Sequence, residues 1–128
     1  MEYVTLVVVL ALLEYMLFMM LTGKARAEYK VPAPATTGNA IFERYFRVQQ
    51  NTIEQLVIFI PSIYMFGAYV NDIAAAIIGA FFILGRAVYA WGYIKEPGKR
   101  GPGMMITMLG NVILLLGALV GLFLKFFI

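Results

Sequence analysis

An all-α integral membrane bundle of four helices is the fold the sequence predicts, and three observations carry it. The 128 residues are 62% hydrophobic and only 13% charged, a balance that would leave a water-soluble domain covered in large apolar patches. The apolar residues gather in long runs, and a membrane-crossing helix needs about 20 such residues. Between the runs lie Gly, Pro, Asn and Asp, the residues of turns and loops. One domain, 1–128, holds all of this, with helices expected over about 3–26, 40–70, 73–95 and 103–127.

The first run, Tyr3 to Thr22, is interrupted by a single charge, Glu14. It lacks the basic start and small-residue cleavage site of a signal peptide, so it reads as a retained helix. Residues 23–40 follow, with Pro32, Pro34, two threonines and Gly38, and read as a loop that is extended near the prolines. Arg26 and Lys30 at its start either carry the first helix past the lipid or rest among headgroups.

The second run begins near Asn39 or Phe42 and continues to about Val70. Its apolar part, LVIFIPSIYMFGAYV, is too short to cross alone, so the polar part must share the span or project into a protein-lined cavity. Pro61 is expected to kink it. Asn71 and Asp72 form a turn so short that the third helix must return antiparallel beside the second. That third helix is rich in Ala and Gly early, which permits close helix contact, and ends with Arg86, Tyr89, Trp91 and Tyr93. The stretch KEPGKRGPG is a turn by every local signal, and the fourth run is apolar except for Thr107, Asn111 and Lys125.

The charges are unevenly placed. Of the basic residues, Lys24, Arg26, Lys30, Arg44, Arg47, Lys95, Lys99 and Arg100 fall on one side, while only Lys125 falls on the other and Arg86 lies within a span. By the positive-inside rule both long loops face the cytoplasm and both termini face outward. The net charge of +3 is therefore a matter of topology, and no nucleic-acid partner is expected.

In Phe42 to Glu54, FERYFRVQQNTIE, eight polar or charged residues crowd the front of the second helix. At about 100° per residue, Asn51 lies about 40°, Glu54 about 20° and Gln50 about 60° from Arg47, so one face carries a cation, an amide and a carboxylate. Gln49 points roughly the opposite way, toward a different surface such as a neighbouring subunit. On the third helix Tyr89 and Tyr93 are one turn apart, with Arg86 within about 60° of both. With Arg26 and Arg100, this set describes a pocket for a small zwitterion with more negative than positive charge. Arginine forks bind carboxylates bidentately, and Glu54 suits an ammonium.

Simpler readings stand beside this one. Glu54 could serve only to neutralise Arg47 or Arg86 inside the bundle. Tyr89, Trp91 and Tyr93 could form an interfacial aromatic belt, and Lys95, Lys99 and Arg100 could be topology signals alone. Glu14 and Asn111 could each join a core or inter-subunit hydrogen bond. With no cysteine and no histidine, the chain has no thiol nucleophile, no metal thiolate and no imidazole base of its own.

FERYFRVQQNTIE, followed about thirty residues later by RAVYAWGYIKEPGKRGPG, closely resembles the membrane-associated proteins in eicosanoid and glutathione metabolism. The second stretch looks most like the microsomal glutathione transferase 3 branch, and the similarity covers nearly the whole chain, including VPAPATTG. The resemblance implies a homotrimer that binds glutathione as co-substrate between adjacent subunits near the cytoplasmic face, without a metal. By position it implies that Arg47, Asn51 and Glu54 bind glutathione with Tyr89 and Tyr93, that Arg26 and Gln49 reach it from the neighbouring subunit, and that Arg86 supports the site. Arg100 matches the arginine that activates the glutathione thiol.

A transferase follows as the expected activity, with glutathione-dependent peroxidase chemistry open to the same thiolate. The electrophile, a hydrophobic molecule or a lipid hydroperoxide, is expected from the bilayer. The rivals are a non-catalytic lipid- or glutathione-binding member of the family and, with little support from four short helices and no repeat, a small transporter. Gln55 stands where several members have tyrosine, and Ala27 replaces a second arginine of the leukotriene-forming synthase, which argues against that specialised activity. The chain ends with its fourth helix and carries no retrieval signal, as a compact bacterial member would. The expected membrane is a bacterial inner membrane or a eukaryotic internal one.

Overall fold

Four long helices and one short turn make up the computed structural model, which describes residues 1–128. They are α1 (Glu2–Glu28), α2 (Ala40–Tyr69), α3 (Asp72–Lys95), a single 3-10 turn at Pro97–Arg100, and α4 (Gly101–Phe127). All four helices have the length and hydropathy to cross a membrane.

Local chemistry sets the ends. The first helix runs past the expected 26 to Glu28 because the chain closes it with a Schellman motif. The Tyr29 N–H donates to the Ala25 carbonyl and the Val31 N–H to the Arg26 carbonyl, while Lys30 takes the left-handed conformation at φ 56°. Asn39 caps α2, its side-chain oxygen accepting from the Ile41 and Phe42 N–H groups at 2.9 Å each. The helix then continues through Pro61 to Tyr69 without a break. Asn71 caps α3 in the same way, accepting from the Ala74 N–H at 2.8 Å. The Met1 ammonium sits 3.1 Å from the Asp72 carboxylate, tying the start of α1 to the α2–α3 turn.

Helices α2 and α3 each pack against all the others, with α1 and α4 on their flanks. The core is filled at its centre by Phe59 of α2 stacked on Phe82 of α3, ring centroids 3.8 Å apart, with Ile63, Leu114 and Val4 fully buried around them. Leu13, Met20, Phe81 and Leu116 stand exposed on the outside, the surface that lipid covers in a membrane bundle.

Candidate functional site

Two glycines allow the backbones to close at the cavity end of the bundle. A Cβ on Gly103 would collide with the Tyr89 backbone, so glycine there lets the start of α4 lie directly on α3. A Cβ on Gly92 would sit 2.5 Å from the Lys99 carbonyl oxygen, so the 3-10 turn folds back against α3. Arg44 fastens the same corner by donating to the Ile94 and Lys95 carbonyls at 3.1 and 3.3 Å, satisfying acceptors at the C-terminus of α3.

Beneath this corner lies a buried polar knot. Arg86 of α3 has no exposed surface, and its guanidinium gathers three helices. One terminal nitrogen donates to Asn51 Oδ1 at 2.7 Å and Thr52 Oγ1 at 3.0 Å on α2; the other donates to Thr107 Oγ1 at 3.3 Å on α4. The charge also lies 4.3 Å over the Tyr89 ring. Thr52 and Thr107 pass their own protons back one turn, to the Val48 and Gly103 carbonyls.

Above the knot opens a cavity of about 350 Å³ lined by Arg47, Asn51, Tyr89, Tyr93, Arg100 and Met104. Tyr89 and Tyr93 face each other with centroids 5.7 Å apart. Arg100 closes one side, 5.9 Å from the Tyr93 ring, with one nitrogen bonded to the Pro97 carbonyl at 3.0 Å. Arg47 is exposed and makes no hydrogen bond or ion pair within the chain. The cavity thus offers two guanidinium groups, an amide and two phenol rings to an anionic ligand.

The structure divides the residues singled out from sequence. Arg47, Asn51, Tyr89, Tyr93 and Arg100 come together at the cavity. Arg86 does not line it: a fully buried guanidinium already bonded to Asn51, Thr52 and Thr107 holds another residue in place, so its assignment as a glutathione-contacting group is corrected to positioning. Glu54 is exposed and pairs with neither Arg47 nor Arg86, so the charge-neutralising reading is not realised; the ion pairs present are Met1 with Glu2 and Asp72, and Lys99 with Glu96. Gln49 is half-buried away from the cavity. Arg26 binds its own loop, donating to the Val31 and Ala35 carbonyls and lying 4.8 Å over the Phe42 ring.

Sequence reasoning missed Thr52, Met104 and the anchoring role of Arg44. A signal existed for Thr52: a lone arginine inside an apolar span must find acceptors, and a threonine beside Asn51 is one.

The MAPEG family model matches residues 4–120 of the chain. An uncharacterized protein of Synechocystis sp. is 45% identical over 117 residues, covering 91% of this chain and 85% of the relative. Human microsomal glutathione S-transferase 2 is 44% identical over 103 residues, 80% of this chain and 70% of the relative. Leukotriene C4 synthase of Cavia porcellus is 35% identical over 77 residues, 60% of this chain and 51% of its own length. These named relatives are a type 2 transferase and a synthase, whereas residues 86–103 taken alone look most like the type 3 branch.

Proposed function

The chain belongs to the MAPEG family, and from that premise we propose that it is a membrane-bound glutathione S-transferase. The observation that carries the proposal is the free guanidinium pair of Arg47 and Arg100 on one cavity, beside an Asn51 already oriented by Arg86. Human microsomal glutathione S-transferase 2, at 44% identity, supports the choice of ligand.

Glutathione carries two carboxylates, one ammonium and a thiol. Arg47 forks onto a carboxylate, and Asn51, its oxygen occupied by Arg86, has its amide N–H groups left for the ligand. Tyr89 and Tyr93 pack along the peptide, and Glu54 takes the ammonium. Arg26 and Gln49 act on the cavity of an adjacent subunit in a homotrimer, which accords with neither lining the cavity of its own chain.

Arg100 performs the activating step. A free thiol has a pKa of about 8.5, and a guanidinium beside it lowers that value toward neutrality, so the proton leaves to water and the thiolate remains paired to the cation. The thiolate attacks a hydrophobic electrophile from the bilayer; the S–C bond forms as the leaving group departs with its electron pair. With a lipid hydroperoxide the same thiolate attacks the terminal oxygen, the O–O bond breaks, and the alkoxide takes a proton. The resulting sulfenic acid condenses with a second glutathione to give the disulfide and water. The basic residues cluster at the cavity end, which puts the site on the cytoplasmic face of a bacterial inner membrane or a eukaryotic internal one.

The test is glutathione conjugation to chlorodinitrobenzene by the purified protein in detergent, alongside heat protection by glutathione. At about 100 times its dissociation constant, glutathione should add roughly 2.7 kcal/mol of stability. Conjugation in the wild type that falls about 100-fold in Arg100→Ala supports the transferase. Protection without conjugation would make the protein a binder, and neither would remove glutathione from the account.

A further inference from the structure

A second, apolar groove of about 250 Å³ runs between α2 and α4, lined by Ile58, Met104, Met108, Val112 and Leu115 together with the amides Gln55 and Asn111. Met104 lines both this groove and the arginine cavity, so the two adjoin at that side chain. The groove is where a hydrophobic substrate from the bilayer would lie, and its two amides are the anomaly.

Asn111 is only 4% exposed, and its Nδ2 donates to Gln55 Oε1 at 3.0 Å and to the Gln55 carbonyl at 3.4 Å. Asn111 Oδ1 is buried and has no partner. The Gln55 amide nitrogen makes no bond within the chain either, and Gln55 is half-buried. A carbonyl oxygen desolvated without a donor is costly, and apolar surroundings offer it nothing. Interhelical fastening needs only the donated bond between Asn111 and Gln55, and leaves the free acceptor and the free donor unexplained.

We propose that Gln55 and Asn111 form a specificity site for a hydroxyl group on the tail of a lipid electrophile. A hydroxyl is both donor and acceptor: it gives its proton to Asn111 Oδ1 and accepts from the Gln55 amide, with a small swing of the partly exposed Gln55 side chain admitting it. A plain alkyl chain satisfies neither group. Asn111 lies seven residues beyond Met104, about 10 Å along the helix, so the hydroxyl recognised is remote from the reacting carbon. This inference rests on the groove receiving the electrophile of the proposed transferase.

The experiment measures binding before catalysis. A long-chain enone bearing a mid-chain hydroxyl and its deoxy counterpart are titrated into the full-length protein in lipid nanodiscs, first without glutathione. The wild type should bind the hydroxylated enone about tenfold more tightly, the worth of one to two buried hydrogen bonds. In Asn111→Leu and, independently, in Gln55→Met the ratio should fall to about one, so misfolding of either variant leaves the other to decide. Equal binding of the two enones by the wild type overturns the proposal, as does binding unaffected by both variants, the result expected if lipid or a neighbouring helix fills the groove. The same pair then serves as conjugation substrates: a persisting binding preference without conjugation refutes the transferase and leaves the hydroxyl site standing.

Discussion

The polar residues of this bundle divide into two neighbouring regions built on opposite principles. Around Arg86 the donors and acceptors are matched across three helices, and the group is sealed from solvent. Around Arg47 and Arg100 the charges are exposed and largely unengaged within the chain. The matched region contributes rigidity, and the open one contributes binding capacity. Asn51 belongs to both, since its oxygen is held by Arg86 while the residue lines the cavity. An open site keeps its geometry because a closed one lies directly beneath it.

Mutations should separate the two. The largest effect is expected for Arg86→Leu, which strands the acceptors of Asn51, Thr52 and Thr107 in the core. It should cost about 3 kcal/mol in reversible unfolding from mixed micelles and weaken glutathione binding as well. Gly103→Ala, which forces α4 away from the Tyr89 backbone, should cost about 2 kcal/mol and reduce glutathione affinity through the displaced turn, read by the same two assays. Arg47→Ala should leave the melting temperature in place while glutathione binds about tenfold more weakly by calorimetry. Thr52→Val should be mildest: about 1 kcal/mol of stability with a small change in affinity. Equal loss of stability from Arg47→Ala and Arg86→Leu would erase the distinction between the regions.

The spans and turns were readable because hydropathy and helix punctuation act locally. Asn39 and Asn71 cap helices where a short polar side chain followed by an apolar run demands it. The site was readable only as a set of angles. Helical spacing put Arg47, Asn51 and Glu54 on one face, yet the structure sinks Asn51 into the knot and leaves Arg47 and Glu54 exposed, because a rotation of tens of degrees about the helix axis decides burial. Spacing within α2 carries no information about that rotation, which packing against α3 and α4 sets. For the same reason Arg86 read as a ligand-binding group: its charge was visible, but the threonines waiting on two other helices were not identifiable as its partners. Arg100 could be placed in the turn but not over the cavity, since that depends on the contact Gly92 permits with Lys99.

Ultraviolet thiolate absorbance on adding glutathione to the purified protein at neutral pH, compared between wild type and Arg100→Ala, tests the central claim most directly. A thiolate signal in the wild type that disappears in the variant while glutathione still binds is the outcome expected if Arg100 stabilises the anion. Glutathione bound as the neutral thiol in the wild type, or a thiolate signal of equal size in Arg100→Ala, would contradict it.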